Sequence, residues 1–224
     1  MFNLIDVLIY LSYSILVLNL SLYAISFFKN EKVNGFFLIY LLFATIMQVS
    51  MEMFYLLHKN NLFLMNLYFI GQMIVLGLFY SSLMNYRSQK IVIYSTMALN
   101  AITIGVQTWL DHGQFFKYNL LVIVITNLSV IVFAVLHLYN MLTSEKKYYY
   151  VTIGLILYLL ASTLVFIVGN INAKLNDNVK FILWIFNSFL VIVYYLFILY
   201  DWKVSFLGKK SVKTFFLVNF CGLK

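Results

Sequence analysis

Seven uninterrupted apolar runs, separated by short polar stretches, constrain this chain more than any other feature of its sequence. They occupy residues 4–28, 35–57, 62–84, 91–110, 118–142, 148–171 and 179–200. A helix of about 20 mainly apolar residues crosses a hydrocarbon layer about 30 Å thick, and each run meets that length. Polar clusters stop them, among them Lys29-Asn30-Glu31-Lys32, His58-Lys59-Asn60-Asn61, Asp111-His112-Gly113-Gln114 and Asp201-Trp202-Lys203. An open sheet is excluded, because backbone polar groups facing lipid must be paired within the structure. A closed barrel would show alternating segments of about ten residues instead. The expected fold is all-α: a polytopic transmembrane bundle of seven helices over 1–203, with antiparallel neighbours joined by short loops. A basic amphipathic tail follows at 204–224.

Composition agrees with lipid as the main solvent. The 224 residues are 64% hydrophobic and only 10% charged, whereas a soluble domain is about half apolar and about a quarter charged. The net charge of +8 would suggest nucleic acid in a soluble protein. Here the lysines sit at span ends, so anionic headgroups are the expected partner and nucleic acid is not. A single cysteine, Cys221, excludes an internal disulfide and a multi-cysteine metal site. Residues 1–6 lack the cationic n-region of a cleaved signal, so the first span is expected to be retained.

Lysine and arginine set the expected orientation. Eleven of the fifteen fall after the first, third and fifth spans and in the tail: Lys29, Lys32, Arg87, Lys90, Lys146, Lys147, Lys203, Lys209, Lys210, Lys213 and Lys224. Four fall on the other side: Lys59, Lys117, Lys174 and Lys180. Cytoplasmic loops carry the positive excess. The N-terminus is therefore expected outside and the C-terminus in the cytoplasm, in a cell membrane of the bacterial inner-membrane kind.

Polar residues inside spans are costly and point to function by default. Glu52 lies about one and a half turns from the outer end of the second span, on one face with Gln48, Tyr55 and Lys59. Two readings stay open: a functional carboxylate, or a side chain that reaches Lys59 or outer-surface water. The fourth span carries Thr96, Asn100, Thr103, Gln107 and Asp111 at helical spacing. Thr96 and Asn100 read as interhelical glue, while Gln107 and Asp111 are placed to line a cavity. Asp6, Tyr10, Tyr13, Tyr68, Gln72, Trp184, Asn187 and Tyr194 lie at comparable depth. The expected site is an outward-facing polar cavity lined by Asp6, Tyr10, Gln48, Glu52, Tyr68, Gln72, Gln107 and Asn187.

Motifs for chemistry are missing. There is no G-x-S-x-G elbow, no H-E-x-x-H helix and no Gly-rich phosphate loop. Nothing in the pattern calls for a metal or another cofactor, and no His pair has the spacing of a helical metal site. In the absence of proline, Gly71 and Gly77 read as packing positions rather than helix breaks. In the tail, Lys209, Lys210 and Lys213 alternate with phenylalanines and leucines, the composition of an interfacial helix on the inner leaflet.

Two stretches, NNLFLMNLYFIGQMIVLGLFY (Asn60 to Tyr80) and LWIFNSFLVIVYYLFILYDWK (Leu183 to Lys203), resemble a group of small, uncharacterised bacterial seven-span membrane proteins. These are loosely similar to the membrane input domains of sensor kinases. The resemblance implies the fold and no activity. An acidic residue is common in that group at the position of Gln72 and a histidine at that of Asn187; this chain has amides at both.

The function expected from the residues is a receptor-like or accessory membrane protein that binds a small or lipidic ligand from outside. Any output would reach a protein partner through the tail. A small proton-coupled transporter using Glu52 is the alternative. A lipid-modifying enzyme is the least supported class, because no catalytic set emerges.

Overall fold

The computed structural model describes residues 4–171 and 177–207, all of them helix or connection, with no strand among them. Seven α-helices follow one another: α1 (Leu4–Phe28), α2 (Gly35–Leu56), α3 (Leu62–Leu83), α4 (Arg87–Leu110), α5 (Leu120–Asn140), α6 (Tyr149–Ile171) and α7 (Asp177–Trp202). All seven are long and apolar enough to cross a membrane, the architecture of a multi-pass membrane protein. A 3₁₀ turn, His112–Phe116, precedes α5, and a π-helical turn, Lys203–Leu207, continues α7. The expected tail helix, with Lys209, Lys210 and Lys213, lies outside the described residues.

Helices α1, α2, α3, α5, α6 and α7 pack in a closed ring, and α4 lies outside it against α3 and α5. Helices α2, α4 and α6 finish at the end where α1 begins, here the amino-terminal face. The others finish at the carboxy-terminal face, where α7 ends.

Apolar side chains cover the outside of the bundle as well as filling its core, and several amides are buried among them. Val7, Leu18, Ile39, Leu99, Ile102, Leu128 and Leu164 are exposed, while Asn19, Asn66, Asn127 and Thr152 are fully buried. Lipid solvates the leucines as well as a core would, but it offers amides no hydrogen bonds, so the amides turn inward. They pin helix to helix: Asn19 Nδ2 donates to the Tyr195 carbonyl at 2.9 Å, Asn127 Nδ2 to Thr163 Oγ1 at 3.0 Å and Trp202 Nε1 to Ser26 Oγ at 3.0 Å. Pins of this kind are worth about 0.6 kcal/mol each on average.

Such pins also hold the peripheral helix α4. Carboxamide pairs clamp its two ends to α5: Gln89 with Asn140, both bonds 2.8 Å, and Gln107 with Asn119 at 3.1 and 3.3 Å. Between them Asn100 Nδ2 reaches Ser129 Oγ at 2.6 Å and Met73 Sδ at 3.1 Å. Glycines admit the neighbours of α3. The ring of Phe43 occupies the space a side chain at Gly71 would need, and Met97 Sδ sits 2.5 Å from where a Cβ at Gly77 would be.

The carboxy-terminal face carries a cap made across helices. The segment entering α6 reads Lys146-Lys147-Tyr148, with no Ser, Thr, Asp or Asn to accept from the first free amides of the helix. Tyr148 is left-handed at φ 54°, a costly conformation for a bulky residue. That turn sends its side chain into the core, where its ring packs on Phe37 and Phe79 and its hydroxyl accepts from Asn34 N–H at 2.7 Å. Burial pushes the Tyr148 phenol up to about 12. Asp201 of α7 supplies the missing acceptor: its Oδ1 takes the Tyr150 amide at 3.1 Å and its Oδ2 the Tyr23 hydroxyl at 3.4 Å. Asp201 itself is 3% exposed.

Candidate functional site

The eight residues expected to share one cavity come from five helices, α1, α2, α3, α4 and α7. Tyr13 of α1 donates to Glu52 Oε2 at 3.3 Å, and no ion pair joins Glu52 to Lys59 among the described residues. Both carboxylate and phenol are half-buried near the amino-terminal face. Asp6 is half-buried on α1; Tyr10 is exposed, its ring edge-on to Tyr13 at 6.3 Å. Gln48 turns into the ring and donates to the Tyr195 hydroxyl at 2.6 Å. Tyr68 and Gln72 are buried on α3; Tyr68 stacks on Phe43 at 6.2 Å, and Gln72 Oε1 has no hydrogen-bond partner among the described residues. Gln107 is held by Asn119, so it is a clamp for α4, and exposed Asp111 caps the 3₁₀ turn by accepting from Gly113 N–H at 2.9 Å. Asn187, half-buried on α7, lines a cleft with residues of α3 and α6.

That cavity is a cleft of about 380 Å³ near the amino-terminal face, between α3, α6, α7 and the start of α5. Leu62 and Met65 form one wall, Val165, Phe166 and Gly169 a second, and Leu183 and Trp184 a third. Tyr118 closes it on the α5 side, its hydroxyl donating to the Phe166 carbonyl at 3.2 Å. Burial pushes this phenol up to about 12, so it stays a neutral donor already engaged with the backbone. The surface of this cleft is mostly apolar, with carboxamides from Asn170 and Asn187. Asn187 Oδ1 is buried and has no hydrogen-bond partner among the described residues. Pockets for small molecules fall in the range of roughly 300–1,000 Å³ and combine mostly apolar walls with a few placed polar groups. An apolar body carrying one hydrogen-bond donor matches these walls.

A second feature runs through the ring itself. Tyr23, Tyr40, Tyr68, Tyr158, Tyr194 and Tyr195 are all buried there. Tyr158 and Tyr194 stack at 5.3 Å, and the Tyr194 hydroxyl has no aligned partner among the described residues. The sequence offered one unused signal for this cluster. Membrane tyrosines usually sit at the two water interfaces, whereas the Tyr194-Tyr195 doublet falls well inside the seventh run.

Among the described residues no three His, Cys, Asp or Glu side chains come together as a metal site would require. Compared with protein-family models, curated proteins and solved structures, the chain matches none.

Proposed function

We propose that this chain is a ligand-binding membrane protein whose site is the cleft beside Asn187, taking a small or lipidic molecule with an apolar body and a hydrogen-bond donor. The observation that carries this reading is the buried Asn187 Oδ1, unpartnered among the described residues, in a mostly apolar cavity that Asn170 also lines. A buried acceptor left unmade costs about 1–3 kcal/mol, and a bound donor removes that cost. The excess of lysine at the opposite face supports placing the cleft outside, in a membrane of the bacterial inner-membrane kind. The protein is then receptor-like or accessory, with any output passed to a partner at the basic face.

Native mass spectrometry of the purified full chain tests the proposal, together with extraction of co-purifying lipid. A long-chain alcohol brominated near its hydroxyl should quench Trp184, and the quenching should vanish in Trp184→Phe. Asn187→Leu should weaken binding about tenfold, the equivalent of 1.4 kcal/mol. Quenching unchanged by Asn187→Leu and undiminished in Trp184→Phe would place the alcohol elsewhere.

A further inference from the structure

The tyrosines of the ring have a linear order. Near the amino-terminal face, Glu52 accepts from Tyr13 at 3.3 Å. One turn along α2 from Glu52, Gln48 donates to the Tyr195 hydroxyl at 2.6 Å. The rings of Tyr195 and Tyr194 stand 5.7 Å apart, and Tyr40 and Tyr68 are buried in the same bundle. One turn along α7 from Tyr194, the Ile198 carbonyl stands 3.5 Å from the Tyr23 hydroxyl, which donates to Asp201 at 3.4 Å near the carboxy-terminal face. A file of phenol groups from α1 and α7 therefore stands between one carboxyl group near each end of the bundle.

We propose that this file is a proton path between Glu52 and Asp201, which makes transmembrane proton transfer a second activity of the chain. Two further observations support it. The first is the choice of side chain. Phenylalanine would fill the same volume without a buried hydroxyl, and the chain uses 22 of them, yet it places tyrosine at successive positions along the file. The second is the location of unmade bonds. Gln48 Oε1 and the Tyr194 hydroxyl are buried without aligned partners among the described residues, and Tyr194 is 1% exposed. Both lie where the file passes from one hydroxyl to the next, and buried polar atoms of this kind hold bridging water.

A phenol both donates and accepts, so each member takes up one proton and releases another in a concerted shift. The proton leaves the carboxyl group of Glu52 and arrives on the Asp201 carboxylate; no bond to carbon changes and nothing is oxidised. The groups facing Glu52 are Tyr13 and, beyond it, Tyr10; those facing Asp201 are Tyr23, Tyr148 and Tyr150. Carboxyl chains inside membranes are the usual material of proton relays. None of these residues lines the cleft beside Asn187, so the two proposals fail separately.

The full chain in phosphatidylcholine–phosphatidylglycerol liposomes, with entrapped pyranine and a valinomycin-set potassium potential, reports proton flux directly. Wild type should acidify the lumen at least tenfold faster than protein-free liposomes. Tyr195→Phe and Glu52→Gln should each remove most of that rate while thermal unfolding stays near wild type, and Tyr139→Phe, exposed on α5, should change nothing. If Tyr195→Phe fails to fold, Tyr23→Phe interrupts the same path. Wild-type flux equal to that of empty liposomes, or phenylalanine variants that conduct as wild type, would overturn the proposal.

Discussion

Replacing Asp201 measures how much a cap supplied by another helix contributes to this bundle. Asp201→Ala removes the acceptor of the Tyr150 amide at 3.1 Å and of the Tyr23 hydroxyl at 3.4 Å. Loss of a helix N-cap costs about 1 kcal/mol. A buried hydroxyl deprived of its partner costs about 1–3 kcal/mol, toward the lower end here because the Ile198 carbonyl stands 3.5 Å from the same hydroxyl. The sum is about 2–3 kcal/mol, a large share of the stability of most domains. Asp201→Asn keeps an oxygen for the amide and loses the favourable charge at the N-terminus of α6, worth about 1 kcal/mol. Tyr23→Phe should cost about 1 kcal/mol, and combined with Asp201→Ala less than the sum, because both remove the same bond. Equilibrium unfolding in mixed micelles, followed by circular dichroism, gives the ranking. Hydrogen exchange at the Tyr150 amide locates the effect. An Asp201→Ala protein within 0.5 kcal/mol of wild type, or as damaged as Asp201→Asn, would refute the cap.

Three other outcomes are expected. Gly154→Ala should destabilise by about 1–2 kcal/mol, since its Cβ would stand 2.5 Å from Phe197 Cβ and overpacking outweighs the gain in helix propensity; Gly105→Ala, with open space around it, should be neutral or stabilising by up to about 1 kcal/mol, and micelle unfolding compares them. Gln107→Leu and Asn119→Leu should each cost about 1–3 kcal/mol by leaving the other carboxamide unpaired, while the double variant costs less than their sum, read by the same unfolding assay. With Cys221 replaced, cysteines at Asn60 and Gln114 should react with an impermeant thiol reagent in intact cells and one at Ser144 should not; labelling of Ser144 alone would reverse the orientation.

Hydropathy alone determined the number of helices and nearly all their limits, because the desolvation of a polar backbone in lipid leaves few choices. Six of the seven runs read from the sequence end within two residues of the helices observed. The exception is α4, which starts at Arg87 rather than residue 91. Its extra turn is polar, and it stays helical with Gln89 paired to Asn140. The depth of each polar side chain followed from its place in a run. Its partner did not. Glu52 meets Tyr13, 39 residues away, and Gln107 meets Asn119 instead of a cavity. Asp201 looked like an ordinary end-of-span residue until α6 and α7 were packed side by side. The helices are apolar nearly all round, so the pattern carries little information about rotation. Rotation is decided by close packing at glycines and by which buried amides and phenols find one another, and only the tertiary structure contains those contacts.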